Sequence, residues 1–356
     1  MRAARRPGRA MRDRPSEFRL VLASLLVGVW TIGAPPVSAG EHDSGPARNV
    51  GSGAGSSGGP SAGSRADSRG DVQAEPGTGT GAAAAERGRR VFHGTGGCSC
   101  HTNYPGEGEA APELAGGRPL ETPFGVYYST NITPDDETGL GSWSDADFIR
   151  AMREGLSPTG AHYFPVFPYT SFTGLRDRDL VDLKAYLDSL PAIERASPPP
   201  DAWIPFRWRW TIAGWKWMNF ESQRIERDPD RSESWNRGRY LVLAAAHCGE
   251  CHTPRTWTGG LDRSLWLAGS RDGPEGELAP NITPDRKTGI GDWSRVDLVW
   301  YLETGLKPEG DDTQGLMAEV IEHGYSKLPR QDLEAIAAYL ETVPAVENEV
   351  KGKGAE

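Results

Sequence analysis

The cysteines of this 356-residue chain lie in two tight clusters, and each cluster ends in a histidine. The second cluster reads Cys-Gly-Glu-Cys-His over residues 248–252. Two thiols separated by two residues can add across the two vinyl groups of a porphyrin, and the histidine that follows can present its imidazole to the iron. We therefore predict that Cys248 and Cys251 attach haem c and that His252 is the proximal iron ligand.

Two other chemistries also use paired cysteines. A redox-active pair would lie in a thioredoxin-like α/β setting, which the sequence does not show. A zinc site would need further ligands close by, and the neighbouring sequence offers no second Cys-x-x-Cys or His-x-His pattern. Haem attachment is therefore the favoured interpretation.

The first cluster, Gly-Cys-Ser-Cys-His over residues 97–101, has one residue fewer between its cysteines. Cys100 and His101 keep the spacing that iron ligation and one thioether require, whereas Cys98 has less reach. We expect a second haem c here, with His101 as its proximal ligand. It would be attached through Cys100 alone, or through Cys100 and a strained bond to Cys98. The alternative is that this copy has lost its haem and serves as a scaffold, with thiols that are oxidised or unused.

Met317 is the candidate sixth ligand of the haem in the second copy, because it is the only methionine after that cluster. We predict that it lies in a loop before the last helix. A thioether would keep the iron low-spin and raise its reduction potential, which suits electron transfer. The alternative is a core position, since methionine commonly fills gaps in a core. His323 is the reserve ligand.

The corresponding loop of the first copy, residues 162–169, contains no methionine. Met152, the only methionine of that copy, falls on a predicted helix where core packing is expected. His162 is the remaining candidate for the distal ligand, with an ordinary loop histidine as the alternative. Ligation by two histidines would give this haem a lower reduction potential than its neighbour.

The two clusters belong to a sequence repeat. Residues 131–160 and 281–310 are identical at 15 of 30 positions, an offset of 150. A later match near the end of each copy is at an offset of 153. One unit of about 110 residues used twice indicates tandem domains, which we place at 86–197 and 234–346.

Each unit reads as mainly helical. We predict opening helices over 84–92 and 234–246, and a helix that begins after Ser144 as its N-cap. A stripe of apolar residues predicts a last helix in each unit, which ends before Pro191 in the first copy. No alternating pattern indicates a sheet.

Two further residue types recur at equivalent positions. We interpret Asn131 and Asn281 as loop caps, and Trp143 and Trp293 as core residues. Hydrogen bonds to haem propionates are the alternative for all four side chains.

The N-terminus reads as an export signal. Seven arginines precede an apolar run over 20–36, and Val-Ser-Ala at 37–39 suits cleavage. We predict a signal peptide over 1–39 and a periplasmic location; a retained membrane anchor is the alternative. The Gly/Ser/Ala-rich residues 40–85 predict a disordered tether, and 347–356 a disordered tail.

A linker over 198–233 separates the two units. Within it, residues 203–217 hold five of the twelve tryptophans, interleaved with Arg207, Arg209 and Lys216. The segment is too short and too charged to span a bilayer, but it could lie at a membrane surface or dock a partner. We favour a third interpretation, a mostly buried wedge, because a linker between two domains must pack somewhere.

Composition excludes two classes of protein. The formal net charge is −10, which opposes nucleic-acid binding through phosphates. The clustering of the cysteines excludes a dispersed disulfide framework.

These features together resemble a known family. The paired Cys-His clusters, the two Asn-Ile-Thr-Pro-Asp blocks followed by Gly-x-Trp-Ser, and the tryptophan-rich linker are similar to those of the dihaem or multihaem cytochrome c subunits of periplasmic alcohol, gluconate and fructose dehydrogenases. The resemblance covers about residues 86–345. It implies a mainly α fold with two tandem class I cytochrome c-like domains and long irregular loops.

The resemblance also implies cofactors and partners. Two haem c groups would be bound, one by Cys248, Cys251, His252 and Met317, and the other by Cys100 and His101. The shortened Cys98 spacing and the absent methionine are departures from the family pattern. Such subunits pass electrons from a dehydrogenase towards quinone or a terminal oxidase. The alternative function is a dihaem enzyme, of a peroxidase or thiosulfate-oxidising type, that uses the haem of the first copy.

Overall fold

Helices dominate the computed structural model, which describes residues 81–103 and 113–352. The predicted signal peptide and nearly all of the predicted tether lie outside the described residues. The mainly α prediction is confirmed at this level. The α-helices are α1 (Gly81–Gly94), α2 (Asp145–Glu154), α3 (Tyr169–Phe172), α4 (Asp177–Asp188), α5 (Thr211–Asn219), α6 (Glu233–Tyr240), α7 (Cys248–His252), α8 (Arg295–Thr304), α9 (Gly315–His323) and α10 (Arg330–Leu340).

Shorter helical segments connect some of these elements. A π-helical turn, Leu241–Ala245, continues α6 towards the second cysteine cluster. The turns of 3₁₀ type are Gly96–His101, Arg263–Leu265, Pro274–Gly276 and Tyr325–Lys327.

The prediction that the chain contains no sheet is wrong. Strands β1 (Pro119–Thr122) and β2 (Gly125–Tyr128) form an antiparallel hairpin, and β3 (Asp201–Ala202) pairs with the other edge of β2. The strands are four, four and two residues long. Such short segments are too brief for a two-residue periodicity to stand out in the sequence.

The same helix crossing occurs in both sequence repeats, which we call the first and the second half of the chain. α1 packs on α4, and α6 packs on α10. A Cβ at Gly88 would collide with the carbonyl of Asp182, and one at Gly238 with the carbonyl of Ala335. Glycine has no Cβ and lets the two backbones approach this closely. The repeated Arg-Gly-Arg triplets therefore mark a helix contact in each half.

The two asparagines that the repeats share hold equivalent loops. The side-chain oxygen of Asn131 accepts the N–H of Thr133 at 3.0 Å, and its amide donates to the carbonyl of Ile193 at 2.6 Å. Asn281 makes the equivalent pair of bonds in the second half, at 2.9 and 2.7 Å. Each asparagine thus ties its loop to the segment after the last helix, and the loop-cap prediction is confirmed.

The second predicted helix of each unit begins as expected. Ser144 accepts the N–H of Asp147 and caps α2, and Ser294 caps α8 in the same way. Trp143 and Trp293, predicted as core residues, are half-buried and pack against the core rather than within it.

One buried carboxylate joins the two halves. Asp332 in α10 has a fully buried side chain, and it accepts two hydrogen bonds from Arg237 of its own half, both at 2.9 Å. It accepts two more from Arg90 of α1, at 2.6 and 2.7 Å. A buried carboxylate needs such partners because its desolvation is costly, so the contact between the halves is specific.

Two segments that we predicted as disordered contain ordered residues. α1 begins at Gly81, inside the predicted tether. Asn348, inside the predicted tail, donates its amide to the carbonyl of Ala268 at 2.9 Å and its N–H to Thr288 at 3.0 Å. In the described ranges, no helix combines the length and the apolar character needed to cross a membrane.

Candidate haem-attachment site

His252 is buried at the end of α7, which places the whole second cysteine cluster on about one helical turn. Its Nδ1 lies 2.7 Å from the carbonyl oxygen of Pro280. A carbonyl can only accept a hydrogen bond, so Nδ1 carries the proton and the lone pair of Nε2 is left to bind a metal. Burial also lowers the pKa of His252, which favours the neutral ring.

His101 repeats this arrangement in the first half. Its Nδ1 lies 2.7 Å from the carbonyl oxygen of Thr130, and burial lowers its pKa. The carbonyl of His101 accepts the N–H of Gly116 at 2.7 Å, and that of His252 accepts the N–H of Gly269 at 2.8 Å. The two histidines are therefore held by equivalent backbone bonds, and both are fit to ligate iron through Nε2.

The cysteines fit neither of the two alternative chemistries. All of the cysteines are free, and burial raises the pKa of Cys98, Cys248 and Cys251 to about 12. A redox-active pair needs a lowered thiol pKa. Within residues 81–103 and 113–352, no three histidine, cysteine, aspartate or glutamate side chains are grouped to hold a metal ion. That part of the chain therefore offers no ligand set for zinc.

A comparison with curated proteins identifies the family. A dihaem c-type cytochrome of Cereibacter sphaeroides is 45% identical over 264 residues, which cover 74% of this chain and 87% of that protein. The chain belongs to the dihaem c-type cytochromes. No protein-family model matches it.

Other relatives of this cytochrome are subunits of dehydrogenases. The cytochrome subunit of a fructose dehydrogenase from Gluconobacter japonicus is 39% identical over 77% of the chain, which spans 56% of that subunit. A nicotinate dehydrogenase subunit from Pseudomonas putida is 42% identical over 75% of the chain, which spans 22% of that protein. The chain thus spans about half or less of these longer relatives. The resemblance inferred from the sequence motifs is confirmed.

The first Cys-His turn of the cytochrome, which has one residue fewer between its cysteines, contains three consecutive residues with left-handed backbone. Gly96, Gly97 and Cys98 have φ values of 76°, 69° and 49°. In the second turn, only His247 is left-handed, with φ of 40°, and Cys248 is helical. A non-glycine residue in this conformation costs about 1 kcal/mol. The shortened spacing therefore places backbone strain on Cys98 itself.

The prediction that Met317 lies in a loop is wrong. Met317 is the third residue of α9 and is half-buried against the core. A residue distant in the sequence caps the N-terminus of α9. The carboxylate of Glu277 accepts a hydrogen bond from the N–H of Leu316 at 3.0 Å, which would otherwise lack a partner within the helix. Local sequence carries no cap that would have predicted this helix. His323, the reserve ligand, ends α9 and is rotated about 240° from Met317 around the helix axis, so the two side chains point in different directions.

The remaining candidates of the first half lie in different surroundings. Met152 is buried in the core on α2, and that prediction is confirmed. His162 is half-buried, and its Nδ1 is buried without a hydrogen-bond partner. Burial lowers the pKa of His162, and the charge of Lys216 lowers it further. His162 as the distal ligand stays a prediction.

The two attachment turns are neighbours. A Cβ at Gly97 would collide with the backbone carbonyl of His323, so the first turn packs on the end of α9. The raised pKa of Cys251 is due mainly to burial, and the thiol of Cys100 adds to it across the two halves. The thiols of Cys100 and Cys251 are therefore close enough to interact across the two halves.

Glu250, which lies between the two cysteines of the second turn, has a structural role that the sequence does not indicate. Its buried carboxylate accepts hydrogen bonds from Thr170 and Ser171 of α3, and it pairs with Arg255 at 2.6 Å. Burial opposes its ionisation, but Arg255 and the two hydroxyls outweigh burial and lower the pKa of Glu250. No local signal could have revealed partners that lie about 80 residues earlier in the chain.

The prediction that the tryptophan-rich linker is mostly buried is wrong. Only Ile212 and Lys216 of α5 are buried, whereas Trp217 is 86% exposed. Trp215 donates to the carbonyl of Thr258 at 2.9 Å, and this bond brings the neighbouring Trp257, 96% exposed, beside α5. We define the tryptophan surface as the exposed side chains of Trp203, Trp208, Trp210, Trp217 and Trp257.

Lys216 anchors the tryptophan surface to the first half. Its ammonium donates to the carbonyls of Glu154 and Gly155 at the end of α2. Burial lowers the pKa of Lys216 to about 8. Residues 202–220 contain no acidic side chain, so Arg207 and Arg209 leave the exposed part of this surface cationic.

Proposed function

We propose that this chain is an exported dihaem c-type cytochrome that accepts electrons from a dehydrogenase and passes them to quinone or an oxidase of the respiratory chain. One observation carries the proposal. In each of two equivalent turns, a histidine donates from Nδ1 to a backbone carbonyl 2.7 Å away, beside free cysteines; His252 is buried and His101 is half-buried. The names of the relatives, which are cytochrome c subunits of dehydrogenases, agree with this role.

The residues of each half have defined tasks in the proposal. Cys248 and Cys251 would hold one haem, and His252 and Met317 would ligate its iron. Cys100, with or without Cys98, would hold the other, and His101 would ligate its iron. Bound haem would supply a one-electron couple, and the protein would set its potential and orientation. The backbone bonds to His252 and its counterpart His101 fix the ring orientation that such tuning requires.

The test begins with the haem content. The full chain is produced in a host that matures c-type cytochromes, and haem is counted by the pyridine haemochrome assay and by intact mass. We expect two haems per chain. A colourless product with the mass of the unmodified polypeptide would contradict the proposal.

A second measurement separates an electron carrier from an enzyme. The oxidised holoprotein is mixed with a dehydrogenase that oxidises an alcohol or a sugar acid, together with its substrate. A carrier is reduced rapidly and gives no turnover when peroxide or thiosulfate is added without a donor protein. Sustained turnover of either compound would favour the dihaem enzyme instead.

We also propose that the tryptophan surface lies on the outer face of a membrane. Tryptophan favours the interfacial region of a bilayer, and Arg207 and Arg209 match anionic headgroups. The holoprotein is sedimented with vesicles of phosphatidylcholine, with or without phosphatidylglycerol. We expect binding that needs the anionic lipid and that weakens at least tenfold in the Trp210→Ala/Trp217→Ala variant.

The control is Trp300→Ala, which removes an exposed tryptophan of α8 outside this surface. Its vesicle binding should equal that of the wild type. Wild-type protein that does not bind anionic vesicles would contradict the membrane proposal.

A further inference from the structure

The backbone of the two halves can be aligned at the loop that precedes α9, the helix that carries Met317. The N–H of Tyr163 donates to the carbonyl of Gly155 at 2.8 Å, and the N–H of Thr313 donates to the carbonyl of Gly305 at 2.9 Å. The residue numbers of the two donors differ by 150, and so do those of the two acceptors. The register is therefore fixed up to the residue pair 163 and 313.

The register differs by three residues beyond this loop. The helix crossing places Asp182 against Gly88 and Ala335 against Gly238, an offset of 153 between the last helices. The three extra residues of the second half thus lie between these two points. Met317 then either corresponds to one of residues 164–167 or is itself one of the extra residues and has no counterpart in the first half.

Residues 164–167 read Phe-Pro-Val-Phe. None of these side chains has an atom that ligates iron. The result holds wherever the extra residues are placed. The first half therefore lacks a protein ligand at the position that Met317 occupies in the second half.

Aromatic contacts hold this segment in place. The ring of Phe164 stacks on Tyr127, with centroids 4.1 Å apart and planes 14° apart. The ring of Phe167 makes edge contacts with Tyr163 at 5.5 Å and packs near Phe172 at 5.9 Å. Aromatic packing of this kind is stabilising, so the segment is an apolar wall rather than a loose loop.

His162 does not occupy the position of Met317. A backbone bridge pairs His162 with Leu156, and the equivalent bridge pairs Asp312 with Leu306. His162 thus corresponds to Asp312, an exposed residue five positions before Met317 that accepts a hydrogen bond from Gln314.

We propose that the haem of the first half has no sixth protein ligand and that its distal side binds a small neutral diatomic molecule, such as carbon monoxide or nitric oxide. Residues 164–167 offer neither charge nor a side-chain hydrogen-bond donor, so they favour a neutral ligand over an anion. Binding adds the ligand to ferrous iron and changes no oxidation state. This inference rests on the proposed function, because it requires haem at Cys100 and His101.

The test titrates the reduced holoprotein with carbon monoxide. Protein with two haems by the pyridine haemochrome assay is reduced with dithionite, and the bound gas is counted from the difference spectrum. We expect one carbon monoxide per chain in the wild type and in His162→Ala. Met317→Ala should bind two, because it opens the second haem as well.

Three results would overturn the inference. Wild-type protein that binds no gas, together with one bound per chain in His162→Ala, identifies His162 as the ligand. One bound per chain in both the wild type and Met317→Ala overturns the assignment of ligands, because either the open haem is the second one or Met317 does not ligate the second haem. A count of one haem per chain would mean that the first half binds no haem. This result contradicts the proposed function itself, and the pyridine haemochrome assay detects it before any gas is added.

Discussion

His101 and His252 each depend on one backbone carbonyl, and that single bond decides which ring nitrogen is left for a metal. The sequence predicts both residues and their cysteines as haem-binding, because the spacing of cysteine and histidine is itself what haem attachment requires; the shortened first cluster keeps this spacing only for Cys100 and His101. The helical position of Met317 could not be predicted, since the N-terminus of α9 is satisfied by Glu277, about 40 residues away in the chain.

The two cysteines of the shortened turn should differ in importance. Cys100 is adjacent to His101, whereas Cys98 has a strained left-handed backbone and is separated from Cys100 by one residue instead of two. We expect Cys98→Ala to keep two haems per chain and Cys100→Ala to keep one, as measured by intact mass. Cys251→Ala, the equivalent change in the full-length motif, is the control for loss of a haem. A Cys98→Ala protein with a single haem would contradict this expectation.

At the scale of elements, the opening, second and last helices of each half were predictable, whereas α9 and the sheet were not. α2 and α8 begin at serines that the sequence marks as caps, and apolar stripes predict the last helix of each half. β3, by contrast, is two residues long and pairs with a strand that lies more than 70 residues earlier. Such a pairing depends on the packing of the linker, which no local pattern encodes.

The glycines at the helix crossings should tolerate no side chain. We expect Gly238→Ala to lower the free energy of unfolding by about 2 kcal/mol, because its Cβ would force α6 away from α10. Urea denaturation of the holoprotein measures this change.

Gly214→Ala is the matched control for the helix-crossing variant. Gly214 lies within α5 and has no atom within 4 Å of a Cβ at that position. Alanine also favours the helix by about 0.5 kcal/mol. The substitution should therefore leave stability unchanged or raise it, and an equal loss in both variants would show that the crossing is not the cause.

At the scale of the whole molecule, the halves are held together by charge as well as by apolar packing. The carboxylate of Asp332 accepts hydrogen bonds from one arginine of each half, and that of Glu250 accepts hydrogen bonds from two hydroxyl groups of α3. The duplication was visible in the sequence, but these contacts were not, because each joins residues far apart in the chain.

Asp332→Asn tests the charge contact between the halves. Burial opposes ionisation of Asp332, but Arg237 and Arg90 outweigh it and hold its pKa below the ordinary value of 3.8. We expect the variant to lose about 3 kcal/mol of unfolding free energy at neutral pH, since it leaves two guanidinium groups without their carboxylate.

The pH dependence of this loss follows from the direction of the pKa shift. A carboxylate whose pKa is lowered on folding stabilises fully above its unfolded pKa, and this stabilisation is lost as the pH falls through the lower folded value. The gap between wild type and Asp332→Asn should therefore narrow below about pH 4. Asp292→Asn, which removes an exposed ion pair with Arg286, should change stability little at any pH. A gap that stays constant down to about pH 2 would contradict the assignment.

The shared carboxylate also limits how the gene can be divided. A fragment beginning at residue 234 would retain both Asp332 and Arg237. A fragment that ends before residue 234 would contain Arg90 without the carboxylate of Asp332. Its Gly97 would also lose the backbone of His323, against which it packs. When the two fragments are expressed separately, we expect the C-terminal fragment to be more soluble than the N-terminal one. Co-expression of both fragments should restore the solubility of the N-terminal fragment.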